Sequence, residues 1–169
     1  MWQLLLVAGA LFLLSRRSAD ATGRGGGKTP RLLLPNALPP LRVTPRISSR
    51  FGPRVDPVYG DARMHEGIDL SVPIGTSVFS PVDGVVTRVD TDGVGRGEVN
   101  GNAVLMRGAG LSWAFLHLSL VGVAAGQAVV RGQFLGLTGD TGKATGPHLH
   151  LMVADASGPL DPEKVFRVS

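Results

Sequence analysis

The stretch Gly146-Pro147-His148-Leu149-His150-Leu151 places two histidines two residues apart. Side chains two apart in an extended strand point to the same face and lie about 6.6 Å from each other. His148 and His150 therefore share one face of a predicted strand. The chain has only four histidines, and His65 and His117 lie in comparable short segments. Every imidazole is thus placed where it could join one site.

Length and composition predict a single all-β domain. The chain has 169 residues, of which about 120 remain once an apolar leader and a linker are set aside, enough for one core but not for two. Its 24 glycines and 12 prolines separate short β-branched runs such as Ser77-Val78-Phe79. This spacing is typical of antiparallel sheets and leaves little room for helix. We predict a compact antiparallel β-sheet or sandwich.

The order of apolar runs and turn residues predicts where the strands lie. Tight turns are expected at Pro81–Gly84 and Gly139–Gly142, and a hairpin loop at Gly93–Gly101. Asp161 as N-cap and Pro162 at the first helical position predict one helical turn near the C-terminus. Strands are predicted near Gly67–Leu70, Ser77–Ser80, Gly84–Asp90, Ala103–Arg107, Leu111–Leu118, Phe134–Leu137 and His148–Ala154.

The charged and sulfur-containing residues limit the possible chemistry. The chain has no cysteine, so any metal must be held by imidazole and carboxylate groups. The net charge is +4 and all but three of the 17 basic residues are arginine. A solvated surface or a polyanionic partner would both fit this excess. No run of aromatics alternates with Lys or Arg, so no nucleic-acid groove is predicted.

The first 46 residues divide into a hydrophobic segment and a spacer. Residues 1–21 contain the apolar run Trp2–Leu14 and are predicted to be a hydrophobic helix. Two interpretations stay open: an uncleaved membrane anchor, flanked by Arg16-Arg17, or a signal segment cleaved after Ala19-Asp20-Ala21. Both predict a membrane-anchored or exported protein of the periplasm or cell envelope, and a phage virion membrane is a further possibility. Residues 22–46 form a Gly/Pro-rich linker, and residues 47–169 form the domain.

His65 and Asp69 are the first candidate metal ligands. They are four residues apart, and this even spacing would put them on one face of a strand. Together with one imidazole from His148 or His150 they give three ligands and leave a fourth tetrahedral position for water. That is the open arrangement of a catalytic zinc site. The spacing does not decide which of the two histidines ligates and which handles protons.

From about Ser49 to Pro162 the chain resembles the lysostaphin/LytM-type zinc metallopeptidases, peptidase family M23, which are peptidoglycan endopeptidases. The family's landmarks occur in the family's order. They are SSRFGPR at Ser48–Arg54, HEGID at His65–Asp69, PIGTSV at Pro73–Val78, SPVDGVV at Ser80–Val86, GNAV at Gly101–Val104, HLS at His117–Ser119, the Gly126-Gln127 and Gly132-Gln133 pairs, GDTG at Gly139–Gly142 and TGPHLH at Thr145–His150.

The resemblance implies a fold, an activity and site residues. It implies a LytM-like sheet with an open groove, one zinc ion on His65, Asp69 and His150, and His117 and His148 as the catalytic pair. It further implies hydrolysis of the peptide cross-links of bacterial peptidoglycan, with metal-bound water as nucleophile. Tyr59, six residues before the first ligand, would lie near the oxyanion. One departure is Phe115-Leu116-His117, where the family usually has Tyr-Ala-His, so a polar role for that tyrosine is absent.

Two other functions compete with hydrolysis. A non-catalytic relative of the same fold would bind peptidoglycan or activate another hydrolase, but relatives of that kind have lost ligands and this chain keeps every expected site residue. The segment Pro81–Val86 also resembles the hairpins of biotinyl and lipoyl carrier domains. Such a carrier needs a lysine at an exposed hairpin tip, whereas Lys143 precedes the paired histidines instead.

Overall fold

The computed structural model describes residues 33–55, 60–91 and 97–168. The strands in these ranges pair only antiparallel, in one ten-stranded and one two-stranded sheet. The elements are β1 Arg46–Ser49, β2 Gly52–Val55, β3 Ala62–His65, β4 Gly67–Ser71, β5 Ser77–Phe79, β6 Gly84–Asp90, α1 Gly97–Asn100, β7 Asn102–Gly108, β8 Leu111–Val121, β9 Ala128–Val129, β10 Phe134–Thr138, β11 His148–Asp155, β12 Gly158–Leu160 and α2 Pro162–Val165. The predicted antiparallel all-β fold is confirmed.

Strand β11 lies in the middle of the large sheet. The strand order is β1-β4-β11-β8-β7-β6-β9, so β11 pairs with β4 on one side and with β8 on the other. Off this path, β10 joins β8 to β5, and β12 pairs with the end of β11. The strands that carry the candidate site residues are thereby neighbours.

The two-residue period of β11 separates the site from the core. His148 and His150 are partly exposed on one face, whereas Leu149, Leu151 and Val153 on the other face are fully buried. This alternation confirms the predicted shared face of the two histidines. The buried leucines join a core to which β4, β7, β8 and β10 also contribute. Its largest members include Ile68, Leu70, Met106, Trp113, Phe115, Leu118 and Leu135.

All predicted strands are present, with ends that differ by a few residues. The predicted helical turn is confirmed as α2, where the Asp161 carboxylate accepts a hydrogen bond from the Glu163 backbone N–H at 3.1 Å. Part of the predicted loop Gly93–Gly101 forms α1 instead. The short strands β1, β2, β3, β9 and β12 were not predicted. The predicted N-terminal helix, residues 1–21, lies outside the described residues.

The placement of His65 and Asp69 on one strand was wrong. His65 ends β3 in the small sheet, Glu66 is not in a strand, and Asp69 lies in β4 of the large sheet. The chain passes from one sheet to the other at Glu66, so the four-residue spacing joins two elements. The even spacing therefore does not reflect one strand, and the choice of these two residues as ligands stays a prediction.

The chain before β1 packs against the domain. Leu41 is buried in the core, and the Leu34 backbone N–H donates to the Val165 carbonyl at 2.6 Å. The Leu38 N–H likewise donates to the Pro81 carbonyl at 2.9 Å. The predicted linker thus contacts the domain over its last part, and the boundary between residues 46 and 47 stays a prediction.

Phe166, directly after α2, closes one end of the core. Its ring is fully buried and lies 5.5 Å from the Trp113 ring, centroid to centroid. We predict that Phe166→Ala lowers the free energy of unfolding by about 3–5 kcal/mol, because the variant loses aromatic burial and leaves a cavity. Urea denaturation of both proteins measures this difference.

Phe134→Ala is the matched control, since that ring is 36% exposed at the edge of β10. It should cost clearly less stability than Phe166→Ala. Equal losses in the two variants would contradict the buried position of Phe166.

Candidate metal centre

The pairing of β4 with β11 brings a carboxylate and an imidazole together. Asp69 and His150 are direct partners in the register of these strands. The Asp69 Oδ1 atom lies 2.6 Å from His150 Nδ1. The two residues are 81 positions apart in the sequence, and strand pairing, not the conformation of a loop, fixes their contact.

His65 completes a group of three donors. Its Nε2 atom lies 3.2 Å from Asp69 Oδ1 and 3.2 Å from His150 Nδ1. Its Nδ1 atom lies 2.8 Å from the Arg50 carbonyl oxygen. A carbonyl can only accept a hydrogen bond, so Nδ1 of the neutral ring carries the proton. The lone pair of Nε2 then points into the space that it shares with Asp69 Oδ1 and His150 Nδ1.

The three donors fit a zinc ion. Two imidazole nitrogens and one carboxylate oxygen, all within 4.8 Å of one another, are donor types that zinc takes. Around a tetrahedral zinc with bonds of about 2.0–2.1 Å, neighbouring donors lie about 3.3 Å apart. Two of the observed distances are 3.2 Å and the third is 2.6 Å. The group therefore has both the chemistry and the size of an open zinc site.

Gly67 leaves room for the His150 ring. A Cβ atom at this position would lie 2.5 Å from the Leu151 carbonyl oxygen and 2.8 Å from His150 Nε2. Real Cβ atoms do not approach other atoms this closely. Glycine at this position therefore lets β4 and β11 pair while the ring packs against the backbone.

His117 enters the site from β8 through an irregular backbone. Its φ angle is 62°, in the left-handed region, although β8 is an 11-residue strand. The registers of β8 with β7 and with β10 both shift beside this residue. A non-glycine residue held there costs about 1–3 kcal/mol and is enriched at functional sites. The kink turns a buried imidazole toward His148, with the ring centroids 4.8 Å apart.

Backbone carbonyls fix the tautomers of the two remaining histidines. His117 Nδ1 donates to the Thr141 carbonyl at 2.8 Å, and His148 Nδ1 donates to the Gly146 carbonyl at 2.7 Å. Each ring therefore has an unprotonated Nε2 when it is neutral. The His148 Nε2 atom lies 3.8 Å from Asp69 Oδ1, farther than the corresponding atoms of His65 and His150.

The site keeps its groups in the protonation states that a cation needs. Burial raises the pKa of Asp69, but the close contacts with the His150 and His65 imidazoles outweigh it and hold this pKa well below its usual value. Burial lowers the pKa of His150, and the neighbouring Asp69 opposes this only in part. Burial likewise lowers the pKa of His117 to about 4. At neutral pH the site therefore presents the Asp69 carboxylate and neutral imidazoles at His117 and His150.

The five described site residues lie in one open groove. Its lining also includes the exposed apolar side chains of Val55, Met64 and Val99 and the basic side chains of Arg54, Arg63 and Lys143. The groove that the resemblance implied is thus present. Tyr59, the remaining predicted site residue, lies outside the described residues.

Sequence reasoning missed the groups behind the site. The carbonyls of Arg50, Thr141 and Gly146 orient three imidazoles, and carbonyls carry no sequence signal of their own. Ser49 and Arg54, which contact His65 and Asp69, were also missed. Their signal was available, because both belong to the Ser48–Arg54 motif, to which no role was given.

Known proteins are similar to this chain in sequence and in fold. The model of "Peptidase family M23" matches residues 63–162. Peptidoglycan DD-endopeptidase ShyA of Vibrio cholerae is 40% identical over 120 residues, which cover 70% of this chain and 27% of the relative. A zinc-containing peptidase from Vibrio cholerae matches with a TM-score of 0.65 and 34% identity, over 78% of this chain and 39% of the other.

A second similar structure is matched over most of its own length. The catalytic domain of the antimicrobial peptidase lysostaphin from Staphylococcus simulans matches with a TM-score of 0.61 and 28% identity, over 70% of this chain and 90% of that domain. By contrast, the chain spans only 23–28% of the length of the first curated relatives it matches.

We predict that the chain binds one zinc ion and that His150→Ala abolishes this binding, because the variant removes one of three donors. His148→Ala is the matched control on the same face of β11, and it should retain the ion. Zinc content after gel filtration, measured by mass spectrometry together with circular dichroism, tests this pair. Loss of zinc in His148→Ala with retention in His150→Ala would contradict the assignment.

Proposed function

Because the chain belongs to peptidase family M23, whose members are zinc metallopeptidases, we propose that it is a zinc-dependent endopeptidase that cuts the peptide cross-links of bacterial peptidoglycan. The resemblance found in the sequence is confirmed by the family match. One observation carries the proposal: two imidazoles and a carboxylate converge in an open groove, next to two further imidazoles.

The proposed ligands are His65 through Nε2, Asp69 through Oδ1 and His150 through Nδ1. Their mutual distances of 2.6–3.2 Å support this choice. When bound, zinc supplies Lewis acidity, which acidifies a coordinated water and polarises the scissile carbonyl. The backbone of β4 and β11 and the Arg50 carbonyl hold the three side chains in place.

His117 and His148 are the proposed proton-transfer pair. Each donates through Nδ1 to a backbone carbonyl, which leaves Nε2 free to accept the proton of the attacking water. The lowered pKa of His117, about 4, keeps this imidazole neutral and ready to accept at neutral pH. A protonated Nε2 can then donate to the leaving amine or to the developing oxyanion. Tyr59 is retained as a proposed neighbour of that oxyanion.

The substrate we propose is a direct D,D-cross-link between stem peptides. The relative from Vibrio cholerae is named a peptidoglycan DD-endopeptidase, and this supports a D,D bond over an interpeptide glycine bridge. An open groove suits a polymeric substrate.

We propose that the protein acts in the cell envelope, where this substrate is found. Membrane anchoring through residues 1–21 remains part of the proposal. Within residues 33–55, 60–91 and 97–168, no helix has the length and apolar character to cross a membrane.

We predict that the zinc-loaded chain releases peptides from directly cross-linked sacculi and that a chelator stops the release. His117→Ala and His148→Ala should each lower the rate by about 10²–10⁴-fold, because each removes a proton-transfer group but no ligand. Mass analysis of the released fragments identifies the cut bond, and sacculi with glycine bridges serve as the substrate control.

Restoring zinc after the chelator should restore cutting, whereas magnesium should not, because magnesium prefers oxygen ligands. If the zinc-loaded chain sediments with sacculi and releases nothing, then the non-catalytic binding function is correct instead. Cutting at glycine bridges alone would contradict the proposed D,D bond.

A further inference from the structure

We propose that Arg54 is a positioning residue of the metal centre: its guanidinium holds the Oδ2 atom of Asp69, so that Asp69 offers only Oδ1 to the ion. The inference rests on the metal site of the proposed function and is independent of the substrate. It also gives a role to the Ser48–Arg54 motif, which stood in the sequence as a landmark without one.

The two oxygens of Asp69 have separate partners. Oδ1 lies 2.6 Å from His150 Nδ1 and 3.2 Å from His65 Nε2, on the side of the proposed ion. Oδ2 accepts a hydrogen bond from Arg54 Nη1 at 3.1 Å. A carboxylate anchored through one oxygen binds a metal through the other alone. Asp69 would then supply one oxygen, and not two, to a bound ion.

Arg54 also reaches the second ligand through Ser49. Arg54 Nη1 donates to Ser49 Oγ at 2.5 Å, and Ser49 Oγ lies 3.3 Å from His65 Nδ1. One guanidinium is thus linked to two of the three proposed ligands, on the side that faces away from the ion. Outer-shell partners of this kind fix the orientation and basicity of metal ligands.

The rest of the motif contacts the same ligand segments. The Ser48 hydroxyl donates to the Asp69 backbone carbonyl at 3.2 Å, and the Arg50 carbonyl accepts from His65 Nδ1 at 2.8 Å. Strand β2 carries Arg54 and pairs with β3, which carries His65, in the register Gly52 with His65. Backbone pairing and side-chain contacts therefore hold the motif against the site together.

A role in substrate binding is the rival explanation, because Arg54 also lines the groove. Arg63 provides the means to separate the two. It is the direct register partner of Arg54 across β2 and β3, carries the same charge and lines the same groove. Its Nε atom pairs with Asp61 at 2.8 Å, not with Asp69. The two arginines therefore differ in the carboxylate that they hold.

The test compares Arg54→Met with Arg63→Met in the full chain. Zinc affinity is measured by competition with a chromophoric chelator, and the coordination number by the visible absorption of the Co²⁺-substituted proteins. Arg54→Met should weaken zinc binding about 10–100-fold. It should also weaken the Co²⁺ absorption, because an Asp69 that binds through both oxygens raises the coordination number. Arg63→Met should leave both signals as in the wild-type chain.

The conservative variant adds a second measurement. Arg54→Lys keeps one cationic donor and should fall between wild type and Arg54→Met in zinc affinity. If Arg54→Met fails to fold, then weaker zinc binding in Arg54→Lys than in Arg63→Lys supports the proposal, and equal binding overturns it.

Wild-type affinity and absorption in Arg54→Met, with a raised KM, would overturn the proposal in favour of substrate contact. A failure of this proposal can be distinguished from a failure of the proposed function. Sacculus digestion by the wild-type chain tests the substrate, whereas zinc affinity in the Arg54 variants tests the positioning role.

Discussion

The antiparallel pairing of β4 with β11 is the constraint on which the site depends. It sets Asp69 opposite His150 and at the same time buries Leu149 and Leu151 in the core. Because side chains alternate along a strand, a slip of one residue would turn His150 inward and Leu149 toward the groove. The core therefore enforces the register that the site requires. Site geometry and folding stability are two results of one backbone arrangement.

Around this pairing, the domain holds its imidazoles through groups that cannot change protonation state. Backbone carbonyls accept from the Nδ1 atoms of His65, His117 and His148, so each ring has one defined tautomer. His117 is held in a left-handed conformation inside a long strand, at a cost of about 1–3 kcal/mol. The paired strands on both sides of β8 offset that cost. Backbone groups thus set the arrangement of the site.

Much of this arrangement was predictable from the sequence. The two-residue spacing of His148 and His150 predicted both the strand and the face that they share. The residues between and after them, Leu149 and Leu151, are buried on the opposite face. Strands with β-branched runs were found, but β1–β3 were missed. Each is four residues long and contains an arginine, and β2 also contains Pro53, so neither alternation nor propensity marks them.

Other features depend on tertiary structure alone. The spacing of His65 and Asp69 indicated one strand, and the break at Glu66 between two sheets left no signal in the residues. Residue spacing also left open which of His148 and His150 is the ligand. The resemblance implied His150, and the register supplies the physical reason, since His150 and not His148 lies opposite Asp69. The left-handed His117 and the orienting carbonyls could not be read from side-chain chemistry.

The position of the ion tests the central claim most directly. Anomalous scattering at the zinc edge, from crystals of the zinc-loaded chain, would show where the metal lies and which atoms bind it. We predict one peak, about 2.0–2.2 Å from His65 Nε2, Asp69 Oδ1 and His150 Nδ1. A peak bound by His148 in place of His150, or a peak outside the groove, would contradict it.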